Sequence, residues 1–267
     1  MQDNCSSFEG WAITIKSKIF EINDVELDWE TSQDLNENEK LHYNRFLYRV
    51  IKFANNYSWF KKNPSKTIEI EEFISTLKRK LVVNSESEPR KPNSDDYSKS
   101  NLKNYSENQL ENKIVHELVD DFKKTDKLIT LSRQFPVGVF LDKKAEKNAI
   151  FPHRKSAIDI WGVDDNNDIY LYELKNYSNT TVGAISEMLF YSYILIDIVN
   201  KKIEIPRGHN LEKHIHKNGV NCSLLAPSKH PLIDKKVFDI MNLNNSGIKY
   251  GFIEISEVNN KLKFERK

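Results

Sequence analysis

Three charged residues stand in two otherwise apolar segments. Asp159 lies within AIDIWGV, residues 157–163, and Glu173 and Lys175 lie within IYLYELK, residues 169–175. Charges in such company are costly unless they are paired or bind a metal. Both segments have the composition of strands, and the DDNND cluster between them favours a turn, which predicts a hairpin. Side chains two apart on a strand share a face, so Glu173 and Lys175 point the same way and Asp159 can meet them across the hairpin. Paired carboxylates bind Mg²⁺ through hard oxygen ligands. A divalent ion polarises a phosphoryl oxygen and lowers the pKa of a bound water. A lysine beside it can orient that water, help deprotonate it, or neutralise developing charge. The chemistry expected of the trio is phosphodiester hydrolysis. Taken alone, an E-x-K triplet is common, and it also suits a half-exposed edge strand with a cross-strand ion pair.

Elements on either side must position the trio. Helix is expected over 108–124, strand over 128–140 interrupted by Pro136 and Gly138, helix over 182–200, a short buried strand over 222–226, helix over 232–241, and a last strand over 248–256, paired with 261–265 across Asn259 and Asn260. The order of helix, strand, hairpin, helix and strand, with Asp159 and Glu173-Leu174-Lys175 on the hairpin, resembles the D-x(n)-E-x-K core of the PD-(D/E)XK (restriction-endonuclease-like) nuclease superfamily. The resemblance covers residues 108–267. It implies an α/β fold with a central mixed β-sheet flanked by helices, with Asp159 and Glu173 as metal ligands and Lys175 as the catalytic lysine. It also implies the backbone carbonyl of Leu174 in the metal shell, and Mg²⁺ as cofactor with Mn²⁺ able to substitute. The proline of the family's name is absent, since Ile158 precedes the aspartate.

Many members of that superfamily carry a glutamate on the first helix, and here Glu111 and Glu117 compete. At about 100° per residue, Glu111 falls in the middle of the stripe made by Leu110, Ile114, Val115, Leu118, Val119 and Phe122, whereas Glu117 falls on the solvent side. A glutamate in a buried stripe needs a partner, and a metal site supplies one, so Glu111 is the expected further ligand and catalytic residue. In the helix after the hairpin, Glu187 and Tyr191 are spaced like the Q-x-x-x-Y motif of one branch of these nucleases, with Glu in place of Gln. On that reading they line the site and orient Lys175 or the substrate. On the other, the helix is a core helix with one polar residue near its start. His153, Arg154 and Lys155, just upstream of Asp159, either contact phosphates of a nucleic acid or form a solvated loop.

The chain has 267 residues, room for more than one average domain. Residues 11–22 alternate as a strand would, and helices are expected from about Leu41 to Tyr57 and from Ile70 to Leu81. These make a small α-rich N-terminal accessory domain, 1–83. Residues 84–107 are rich in Ser, Asn, Pro and charge, with little to bury, and read as a flexible linker to a nuclease-like domain at 108–267. With 40 basic against 39 acidic residues the net charge is +1, so a nucleic-acid partner must be met by a local basic surface and not by a global field. Cys5 and Cys222 are too few and too far apart for a disulfide framework or a thiolate metal site. His209, His214, His216 and His230 lie in a polar stretch and read as surface histidines, not a zinc site. DDNND lacks the glycine and glutamate of a calcium loop. No signal peptide is visible, and the most apolar run, 182–200, carries Glu187 and Asp197, which argues for a buried helix over a membrane span. The expectation is a cytoplasmic, metal-dependent nuclease acting on DNA before RNA, with a restriction or defence role and scope for a homo-oligomer. The alternative is a non-catalytic nucleic-acid-binding or interaction module on the same fold.

Overall fold

A computed structural model describes residues 7–32, 34–84, 101–152, 157–178, 181–207, 209–214 and 219–267. His153, Arg154, Lys155, His216, Cys5 and most of the 84–107 segment lie outside the described residues.

The first element is a helix, α1 (Phe8–Lys18), where a strand over 11–22 was expected. Trp11, Ile13 and Ile15 imitate a period of two, but burial follows the helical period. Phe8, Glu9, Ala12 and Ile13 are buried while Trp11, Ile15 and Ile19 face out. Apolar residues on both faces hide the helical pattern in the sequence. Strand β1 (Val25–Leu27) leads to α2 (Glu37–Asn56), which starts on a capping box between Asn36 and Glu39. Then come β2 (Phe60–Lys62), parallel to β1, α3 (Thr67–Leu77) and β3 (Leu81–Val83).

The helix expected over 108–124 is two helices, α4 (Glu107–His116) and α5 (Val119–Asp126). Asp120 and Asp121 sit in the first turn of α5, where the helix dipole favours acidic side chains. The strand over 128–140 is interrupted at Pro136 and Gly138 as expected, and divides into β4 (Leu128–Pro136) and β5 (Val139–Leu141). The hairpin forms from β6 (Ala157–Asp164) and β7 (Ile169–Leu174), and the Asp164 carboxylate closes its turn by accepting from the amides of Asn166 (2.9 Å) and Asp168 (2.8 Å). Helix α6 (Gly183–Val199) follows, then β8 (Ile203–Glu204), β9 (Val220–Ala226), α7 (Lys235–Met241), β10 (Lys249–Val258) and β11 (Lys261–Arg266). Asn259 and Asn260 both take positive φ, 52° and 59°, as a tight turn between β10 and β11 requires.

Six strands make the main sheet, in the order β11-β10-β9-β7-β6-β4. Strands β4, β6 and β7 run antiparallel, β9 and β10 join parallel to β7, and β11 returns antiparallel, so the sheet is mixed and the fold is α/β. A parallel β7–β9 pair requires a crossover, which α6 provides. Alternation on β7 divides its side chains between two layers. Ile169 and Leu171 share a core with Ile185, Met188 and Leu189 of α6, whereas Tyr172 and Leu174 share one with Leu110, Ile114 and Phe122 of α4 and α5.

The N-terminal helices join the first of these layers. Phe8, Ile13, Leu47, Val50 and Phe53 belong to the same core cluster as Ile185 and Leu189, and β3 pairs with both β5 and β8 in a three-stranded sheet. Gly10 lets α1 approach the start of α6. Its amide donates to Ser186 Oγ at 3.1 Å, and a Cβ there would fall 2.6 Å from the carbonyl oxygen of Val182. Both ends of the 84–107 segment are held by the fold. Asn84 and Gly138 exchange hydrogen bonds of 2.9 and 3.0 Å, and Leu102 and Tyr105 are buried. Among the described residues no helix is long and apolar enough to cross a membrane.

Candidate active site

The site is built where the sheet comes apart. Pairing between β6 and β7 ends at Ile160 and Tyr172, one residue short of Asp159 and Glu173. Pairing between β4 and β6 runs from Arg133–Ile160 to Phe135–Ile158 and omits Gln134 and Asp159, the residues between. Gln134 has φ 54°, a left-handed backbone that interrupts the ladder there. Asp159 therefore stands at a gap on both sides. One of its oxygens, Oδ2, accepts the Leu174 amide at 2.8 Å, a donor set free where the ladder ends. Burial pushes the Asp159 carboxyl up to about 6 against the pull of Lys175 and the Leu174 amide, and Glu107 and Glu187 add to the rise.

Glu173 and Lys175 project from the β7 edge toward α6, on the face that alternation assigns them. Lys175 Nζ lies 2.6 Å from Glu173 Oε1 and 2.7 Å from Glu187 Oε2. Glu173 is 4% exposed and Lys175 is 7% exposed, so the pair is nearly dry. Burial alone would make Lys175 release its proton more easily, but Glu173, Glu187 and Glu107 outweigh it and hold the ammonium well above its ordinary value. Burial and the nearby Asp159 push Glu173 well above the carboxylate range, while Lys175 overcomes burial to hold Glu187 below it. The second oxygen of Glu173, Oε2, is buried, and Glu173 also shares a side-chain hydrogen bond with Glu187.

Glu111 is buried, as its place in the apolar stripe requires, but its partner is a side chain absent from the sequence argument. Arg133 of β4 donates to Glu111 Oε1 at 2.7 Å and to Asn108 Oδ1 at 3.1 Å. Burial still pushes Glu111 up to about 7, and Asp159 adds to this against Arg133 and Gln134. Glu117 is exposed and pairs with Lys113 one turn away, 2.7 Å. Glu107, one turn before Glu111, acts electrostatically on both Asp159 and Lys175 and was also missed. The one available signal was its i, i+4 spacing from Glu111. Tyr191, one turn after Glu187, feels Glu173, Glu187 and Asp159, which with burial keep its hydroxyl protonated far above its usual range. Helix α6 thus brings Glu187 and Tyr191 to the acids, while Leu174 turns its side chain into the opposite layer and offers its amide to Asp159.

The cluster suits a hard cation in its chemistry. Its donors are carboxylate oxygens, and its acids outnumber its cations. Among the described residues no three acidic or histidine side chains are already drawn into a closed metal cage. Lys175 fills the space between Glu173 and Glu187. His209 is buried, not at the surface, where its ring meets Phe135 at 5.1 Å and its Nδ1 accepts the Leu211 amide. Its imidazole stabilises a turn. No protein-family model matches the chain, and no curated protein matches it either.

Proposed function

We propose that the chain is a metal-dependent nuclease of the PD-(D/E)XK type, hydrolysing phosphodiester bonds in nucleic acid, DNA before RNA. The observation that carries this reading is the convergence of Asp159, Glu173 and Lys175 at the parted edge of β6 and β7. A mixed sheet, a hairpin bearing the trio and a helix directly after it support the resemblance to a restriction-endonuclease-like core. The buried, acid-raised environment of Asp159 and Glu173 supports a cation: these two carboxylates would hold Mg²⁺ or Mn²⁺, with Glu111 close enough to Asp159 to share in it. When bound, the ion would polarise the phosphate and acidify a water.

The chain's own groups divide the remaining work. Lys175, held as an ammonium by two glutamates, stabilises charge developing on the phosphate or delivers a proton to the departing oxygen, and in this state it accepts none. Glu187 anchors that ammonium from α6. Tyr191 is a protonated hydroxyl at the edge of the cluster and can donate to a substrate oxygen. Arg133 fixes Glu111, and through it the α4 wall of the site. A role in restriction or defence belongs to the same proposal. The test is incubation with plasmid, linear duplex and single-stranded DNA and with RNA, in Mg²⁺, Mn²⁺ or EDTA. Metal-dependent cleavage of at least one substrate is expected. Binding without cleavage in every metal would replace this reading with a non-catalytic nucleic-acid-binding module.

A further inference from the structure

Helix α2 lays a row of cations along α6, one per turn or nearly so. Lys52 ion-pairs with Asp197 at 2.5 Å, and Tyr48 donates to the same carboxylate at 2.8 Å. Arg49 grips Glu9 of α1 through both Nε and its terminal nitrogen. Arg45 is the third of the row and the one beside the acid cluster. Its guanidinium lies over the ring of Phe190, 5.8 Å from the centroid, and Phe190 precedes Tyr191 and follows Glu187 by about one turn of α6. It feels the negative charges of Glu187 and Glu9, yet no described carboxylate ion-pairs with it and no described group accepts a hydrogen bond from it. Burial and the neighbouring Arg49 both disfavour its positive charge. A guanidinium with five donors, stacked on a ring and left without an acceptor, is prepared for an external anion.

We propose that Arg45 is a substrate-binding residue, gripping a phosphate of the nucleic-acid strand beside the bond to be cut, and that α2 thereby completes a site otherwise built from β6, β7 and α6. The inference rests on the nuclease reading for its substrate. Planar guanidinium matches a phosphate bidentately, whereas the Lys52 and Arg49 positions are already matched by carboxylates.

The experiment compares wild type with Arg45→Ala, Arg45→Met and Arg45→Lys, after circular dichroism and melting confirm the fold. Arg45→Met keeps the apolar stem over Phe190 and serves if the alanine variant does not fold. A labelled oligonucleotide is titrated in Ca²⁺ over a range of salt, and single-turnover cleavage is followed in Mg²⁺. Arg45→Ala and Arg45→Met should weaken binding roughly tenfold or more. They should also lower the salt slope by about one, and Arg45→Lys should recover part of the loss. Unchanged affinity and salt slope in a folded variant, or no binding by wild type, would overturn the proposal. Arg45-dependent binding with no cleavage by wild type would sustain it while removing the nuclease reading.

Discussion

At the scale of single residues, the account turns on carboxyls that are costly without a cation. Asp159 spends one oxygen on the Leu174 amide, and Glu173 and Glu187 share the single ammonium of Lys175, so acids outnumber cations in a buried place. Asp159→Asn keeps the shape and removes a formal charge. Isothermal titration with Mn²⁺ should find affinity lowered at least roughly tenfold in that variant, as expected when a hard anionic ligand is lost. Unchanged affinity would take Asp159 out of the metal shell. The trio itself was legible in the sequence, because strand alternation fixes the face of Glu173 and Lys175 and the DDNND turn fixes the hairpin. Arg133 was not legible. Its pairing with Glu111 links β4 to α4 through a contact 22 residues apart, and neither segment's periodicity records it. Arg45 was hidden for the same reason, since α2 meets α6 through tertiary packing alone.

At the scale of elements, apolar runs bounded by turn signals were placed correctly even where both faces are buried, as in β7 and α6, whereas apolar residues on an exposed face misled at α1. Helix α2, strands β6, β7 and β10 and helix α6 stand within a few residues of expectation. Helix α1 was read as a strand because Ile13 is buried while Trp11, Ile15 and Ile19 are apolar and exposed. The break between β4 and β5 was legible in Pro136 and Gly138, whereas the break at Glu117 carries no such signal in the local sequence. The close approach of α1 to α6 makes a prediction at this scale. In an exposed helix Gly→Ala gains about 1 kcal/mol from propensity. At Gly10 the added Cβ would meet backbone, the Val182 carbonyl at 2.6 Å, which cannot swing away as a side chain can. Overpacking of this kind costs roughly 1–3 kcal/mol, so Gly10→Ala should destabilise despite its propensity. Urea denaturation should place its midpoint below wild type. A higher midpoint would mean that α1 does not lie against α6 as described.

At the scale of the whole molecule, residues from both sides of the 84–107 segment fill one hydrophobic cluster, and the acid site lies at its edge, bordered by α6 and α2. Site ionisation should therefore register in global stability. Free carboxyls titrate near 4, whereas Asp159 does so at about 6 and Glu111 at about 7. Between about pH 4 and pH 7 the folded chain binds these protons more tightly than the unfolded chain. Their contribution favours folding at the acid end and is lost as pH rises through that window. A divalent cation offsets the loss where the acids are ionised. Mg²⁺ or Mn²⁺ should raise Tm over EDTA more at pH 8 than at pH 5, by roughly 2–4 °C for each kcal/mol of binding. An equal rise at both pH values would detach the metal from these carboxyls. The most direct test of the central claim is Lys175→Ala, compared with wild type for nucleic-acid binding and for single-turnover cleavage in Mg²⁺, with the fold checked by circular dichroism. The account predicts binding within a few-fold of wild type, since one charge among many phosphate contacts matters modestly, and cleavage slower by at least about a hundredfold. Cleavage by the folded variant at the wild-type rate would contradict it.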